Sequence, residues 1–108
     1  MWLFVSGGFL SVVAHRTLPD SLLVRARNPD HLRAMFPDVE ITYMRTADYP
    51  YRVVLNRTTV HEAIVEYLQK MVYDNFKASI DDFEYHDACI DVWRTMWAYG
   101  NRSRSGDV

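Results

Sequence analysis

Four histidines, one cysteine and scattered carboxylates are the residues on which chemistry could rest. His61-Glu62 opens like the zinc-helix signature H-E-x-x-H, in which a second histidine one helical turn on shares the metal. That position is Val65, so the ligand pair is missing. His86 and Asp87 are sequence neighbours and should not face each other on a helix; Asp82, one turn earlier, could pair with His86, as a surface pair near the helix start. His15 and His31 fall in or near loops without a visible partner. Cys89 stands among apolar helix positions, where formation of a thiolate is disfavoured, and no Gly-x-Ser-x-Gly turn presents a nucleophilic serine. Asp74, Asn75 and Lys77 form the one compact cluster of carboxylate, amide and amine. They could serve acid-base chemistry in a small enzyme, or cap a bend in the chain and meet solvent. No metal and no cofactor are expected.

A different chemistry is carried by Trp2, Phe4, Phe9, Arg25, Arg27 and Arg52. Aromatic rings beside guanidinium groups suit non-covalent recognition, either of a protein or of the bases and phosphates of a single strand. Whether they meet depends on the elements that hold them.

Gly7-Gly8 separates two β-rich runs and reads as the two-residue loop of a hairpin, because glycine takes positive φ without steric cost. Val5 would then face Leu10, and Leu3 would face Val12. One side of the ribbon is Leu3, Val5, Leu10 and Val12; the other is Trp2, Phe4, Phe9 and Val13. A third strand, Leu22–Arg27, alternates Leu22, Val24 and Ala26 with Leu23, Arg25 and Arg27. Asn28-Pro29-Asp30 predicts a short helix with an Asn N-cap, Pro at N1 and an acidic first turn, ending at Pro37. Val39, Ile41 and Tyr43 mark a fourth strand. Tyr51, Val53 and Leu55, alternating with Arg52, Val54 and Asn56, mark a fifth.

Thr59 with Glu62 reads as a capping box for a helix whose stripe is Val60, Ile64, Tyr67, Leu68, Met71 and Val72. Tyr73–Lys77 interrupts it. A last helix begins near Asp81-Asp82 with a stripe through Tyr85, Cys89, Trp93 and Trp97, the two tryptophans expected in the core, and Gly100 as its stop. The order β-β-β-α-β-β-α-α predicts an α+β fold: a mainly antiparallel five-stranded sheet, a ferredoxin-like unit plus the N-terminal hairpin, with helices on one face. Residues 1–100 are expected to form one domain and 101–108 a flexible tail.

Composition bounds the function. The chain has 108 residues, 49% of them hydrophobic, enough for a core. Twelve basic against fourteen acidic residues give a net charge of −2, which excludes a general pull toward nucleic acid or anionic lipid. The apolar N-terminal run is short and broken by glycines, so neither a membrane span nor a signal peptide is expected, and one cysteine suits a reducing cytoplasm.

Trp2, Gly8-Phe9-Leu10-Ser11-Val12-Val13, Leu22-Leu23-Val24-Arg25-Ala26-Arg27, Tyr51-Arg52-Val53 and Tyr73-Asp74-Asn75-Phe76-Lys77 resemble segments of a group of small hypothetical proteins of bacteria and their phages. The resemblance spans nearly the whole chain except the tail. It implies an intracellular single domain without assigned site residues, and a phage origin would favour a host-directed regulatory interaction. The expected function is a small non-enzymatic interaction protein that binds a protein partner, or itself as a homodimer, through Trp2, Phe4, Phe9, Arg25, Arg27 and Arg52. Single-stranded nucleic-acid binding by the same face is the alternative, and an enzyme built on Asp74, Asn75 and Lys77 a third.

Overall fold

A computed structural model describes residues 1–106. The chain divides into two compact units, Met1–Val72 and the remainder from Tyr73. The first holds β1 (Trp2–Val5), β2 (Gly8–Ala14), β3 (Ser21–Ala26), α1 (Pro29–Met35), β4 (Thr42–Tyr43), β5 (Tyr51–Asn56) and α2 (Arg57–Lys70). The second holds a 3-10 turn, Lys77–Ser79, and α3 (Phe83–Gly106). The fold is α+β, and the five strands form one antiparallel sheet in the order β1-β2-β3-β5-β4.

Period-two alternation sorts the sheet into two faces. On one face Leu10, Val12, Val24, Ala26 and Val53 pack against Leu32 and Phe36 from α1 and Val60 from α2. Leu10, Val24, Ala26 and Leu32 are completely buried. Both helices of this unit therefore cover the same side. The opposite side keeps Trp2, Phe4, Phe9, Ser11, Arg25 and Arg52.

The hairpin turn lies one residue earlier than the glycine pair suggests. Val5 pairs with Gly8, Phe4 with Phe9, Leu3 with Leu10 and Trp2 with Ser11, so Ser6-Gly7 is the loop. Moving the turn by one residue slides the pairing by two, and every side chain keeps its expected face. Neither glycine has positive φ. Both are needed for a different reason: a Cβ on Gly8 would collide with the His31 ring, and one on Gly7 would sit 2.7 Å from Ala34 Cβ. The pair is a landing site for α1. His31 Nδ1, in the first turns of α1, completes it by accepting the Phe9 N–H at 3.1 Å, a structural partner for this histidine.

Other boundaries shift for local reasons. Asn28 caps α1 as expected, accepting from the Asp30 N–H at 2.9 Å. The fourth strand shrinks to Thr42–Tyr43, while Val39 and Ile41 still pack on the core without ladder bonds; a short edge strand leaves little backbone open to unwanted pairing. The α2 cap is Asn56, accepting from the Thr58 N–H at 2.8 Å, and not Thr59. Strand β5 runs straight into the helix, and the asparagine at the junction is the better cap. Tyr67 anchors the far end of α2 to the hairpin turn, its hydroxyl accepting the Ser6 N–H at 3.0 Å. Past it, Leu68, Met71 and Val72 are exposed, so the expected stripe ends at Tyr67.

In the second unit, Asp82 Oδ1 caps α3 by accepting the Tyr85 N–H at 2.8 Å. That leaves His86 beside Asp87, at 3.4 Å, and not beside Asp82 as the helical spacing suggests. Helix α3 continues through Gly100 to Gly106; residues 107 and 108 of the expected tail lie outside the described residues. Trp93 and Trp97 are 52% and 59% exposed, against the expectation of core positions. Their own unit offers only a short segment to cover a helix of 24 residues.

Candidate binding face of the sheet

The side of the sheet away from α1 and α2 is organised in cross-strand rows. Trp2 lies opposite Ser11, Ser11 opposite Arg25, Arg25 opposite Arg52, and Arg52 opposite Thr42, so one row crosses all five strands. Phe4 and Phe9 form the neighbouring row and stack at 4.6 Å with 21° between ring planes. Trp2 meets Phe9 edge-on at 5.9 Å and remains 68% exposed.

Tyr49 closes the aromatic cluster from the turn between β4 and β5. Its ring lies 6.3 Å from Phe9 and is nearly buried, because two guanidinium groups flank it: Arg25 at 4.7 Å and Arg27 at 4.5 Å from the ring centroid. Such contacts contribute about 0.5–2 kcal/mol each, depending on desolvation. Arg27 also bonds Asp48 at 3.0 Å, an exposed pair of small energetic value. All six residues expected to bind a partner, Trp2, Phe4, Phe9, Arg25, Arg27 and Arg52, thus reach one face.

The two opposed arginines are held differently. Arg25 donates from Nη2 to Ser11 Oγ at 2.8 Å, and Arg52 donates from Nη1 to Met44 Sδ at 3.1 Å. The Nε of each is buried without a hydrogen-bond partner, and no carboxylate pairs with either among the described residues. A guanidinium carries more N–H donors than these contacts use. Beside them opens a cleft of about 480 Å³, floored by Val13 and Leu23 and walled by His15, Arg16, Arg25 and Arg52. His15 Nδ1 accepts the Leu18 N–H at 3.0 Å, so the neutral ring carries its proton on Nε2 as a further donor. The face offers positive charge and hydrogen-bond donors beside an aromatic cluster.

Tyr49 and Arg16 carry no role in the sequence pattern, and His15 is weighed there only for metal or catalytic chemistry; all three lie outside the strands and helices, where no period applies. The available signals were an aromatic residue between Asp48 and Pro50 beside an arginine-bearing strand, and the His15-Arg16 pair directly after β2.

The expected polar cluster Asp74, Asn75 and Lys77 is spread over separate contacts. Asn75 Oδ1 accepts the Ala78 N–H at 3.2 Å, tying the chain ahead of the 3-10 turn to its first residues, and Lys77 Nζ sits 5.1 Å over the Trp93 ring. Asp74 is exposed. Burial raises the Cys89 thiol above its ordinary value, a hydrogen bond from Tyr85 offsetting only part of it. Among the described residues no group of three metal-ligating side chains is assembled, and no helix is long and apolar enough to cross a membrane.

No protein-family model matches the chain, and no curated protein or solved structure matches it, so the role of this face rests on its own chemistry.

Proposed function

We propose that the protein is a non-covalent binding module whose open sheet face receives an acidic protein partner. The observation that carries this reading is the row in which exposed Trp2 leads to two directly opposed arginines without a neutralising carboxylate. Tryptophan and arginine are the side chains on which interface energy concentrates. A charge pair left open within a protein is completed by opposite charge on its ligand. Self-association through the centre of this face would set one copy's arginines against the other's, so a distinct partner is favoured over a homodimer. Base stacking is less well served, since Phe4 and Phe9 spend a ring face on each other and two guanidinium groups occupy Tyr49. Strand β5 between β3 and β4, after α1, supports a ferredoxin-like unit extended by the hairpin. The lone buried thiol fits a cytoplasmic setting, and a regulatory encounter there is what the sequence resemblance to small bacterial and phage proteins would imply.

The test compares affinity capture by wild type, Trp2→Ala and Arg52→Glu, each checked by a circular dichroism melt. Loss of the captured protein in both variants, with melts close to wild type, supports the reading. Identical capture by all three sinks it. A fluorescence-anisotropy titration with a single-stranded oligonucleotide covers the alternative: affinity that falls steeply with salt would transfer the face to nucleic acid.

A further inference from the structure

We propose that the cleft beside the Arg25–Arg52 pair is an oxyanion-binding subsite, taking a carboxylate or phosphate group attached to a small apolar body. This deepens the reading of the same face and rests on it only for the source of the anion.

Three observations converge on the cleft. Its lining includes Arg16, Arg25 and Arg52 together with His15, and no acidic residue belongs to it. Arg25 and Arg52 are cross-strand neighbours in register, so the backbone ladder sets the two arginine side chains side by side on the same face. Each spends one Nη donor on a neighbour and has further Nη N–H groups to give, while Ser11, Tyr49 and Met44 fix the orientation of the planar groups. Rigid, planar donors with unspent N–H groups are the arrangement that binds oxyanions, because the donors need no reorganisation when the anion arrives.

Size defines the ligand further. A volume of about 480 Å³ exceeds what a bare ion needs and falls in the range of small-molecule sites. Val13 and Leu23 supply an apolar floor. The fitting group is therefore an anionic head with a hydrocarbon neck, as in an acidic side chain of a bound protein or a small organic acid or phosphate ester.

The experiment follows the arginine Nε–H signals of the whole protein by NMR at constant ionic strength. Burial of the Arg25 and Arg52 Nε atoms slows exchange of those protons with water and keeps them observable. Inorganic phosphate is titrated first, a glutamate-rich peptide second. The expected result is a saturable shift at Arg25 and Arg52, while Arg33 and Arg94, paired on helix surfaces, stay unmoved. Arg52→Gln should weaken phosphate by about tenfold or more, the effect of one charge-assisted donor group. Arg16→Gln, in an exposed loop, provides a second variant should the first disturb the sheet. A linear drift shared by all arginines overturns the subsite.

The two arms separate the sources and the two readings. Tighter binding of the peptide that also needs Trp2 supports both the subsite and the acidic partner. Phosphate saturation without peptide binding supports the subsite with a small-molecule anion and overturns the acidic-protein reading. Loss of partner capture in Trp2→Ala without any saturable anion shift overturns the subsite alone.

Discussion

Arg25 and Arg52 stand directly opposite each other on β3 and β5, two permanent positive charges in one cross-strand pair with no acid between them. Like charges in that position destabilise a sheet by about 0.2–1 kcal/mol, less where solvent screens them. Arg52→Gln should therefore raise the urea unfolding midpoint at low salt, by a free energy of about 0.5 kcal/mol, with the gap closing as salt is added. A variant less stable than wild type at low salt would mean the pair is already neutralised.

The glycine pair separates two explanations that share a sequence. If Gly7 were needed for positive φ, Asn would be tolerated there; because its need is the approach of Ala34, Asn and Ala should both be harmful. At Gly8 the obstacle is the His31 ring and Cβ, and Gly8→Ala should cost about 1–3 kcal/mol through displacement of α1. Chemical denaturation of Gly7→Asn and Gly8→Ala reads both. A Gly7→Asn variant as stable as wild type would restore the turn explanation.

Trp2 and Phe9 belong to one aromatic cluster but should respond differently to truncation. Trp2 is mostly exposed and touches Phe9 only edge-on, so Trp2→Ala should change stability by less than about 0.5 kcal/mol. Phe9 is stacked by Phe4 and bordered by Tyr49, so Phe9→Ala should cost about 2–3 kcal/mol. Thermal melts of the two variants check this contrast. Equal losses would make Trp2 a structural residue and remove it as a partner anchor.

The membership of each face was readable from residue alternation because a period of two survives a slide of the register by two positions. That is why the aromatic and arginine residues were placed together although the hairpin turn was not. Turn position escaped because Gly7 and Gly8 answer to α1, a contact distant in sequence that no local rule contains. Tyr49, Arg16 and the place of His15 beside the arginines are hidden for a related reason: loop residues follow no period, and their direction is set by what they cover. Asn56 was read as the last strand residue, which it is, and its second role as a cap needed the absence of any loop before α2.

Cys89 should be slow to react in the folded chain. Burial raises its folded-state value, so the thiol stays protonated where an exposed one begins to ionise. The sign for stability follows: the folded state holds this proton more tightly, the contribution is full below the unfolded-state value, and it is lost as pH rises through the folded one. Iodoacetamide should modify native protein more slowly than urea-unfolded protein at mildly alkaline pH. The unfolding midpoint of wild type should fall more steeply with alkaline pH than that of Cys89→Ala. Equal alkylation rates in the two states would show that the thiol is open to solvent.

Gly100 tests whether α3 passes through or stops. As a C-terminal stop in the left-handed region it would reject a side chain, and Ala would destabilise the end of the helix. In the structure it lies inside a continuous helix, without positive φ, and a Cβ there would meet nothing within 4 Å. Gly100→Ala should then stabilise the helix by about 0.8–1 kcal/mol, the propensity difference between the two residues, because the added methyl costs no contact and restricts the unfolded chain. Helicity by circular dichroism and amide exchange beyond Trp97 would both report it. Faster exchange in the variant would return Gly100 to the role of a stop and end α3 there.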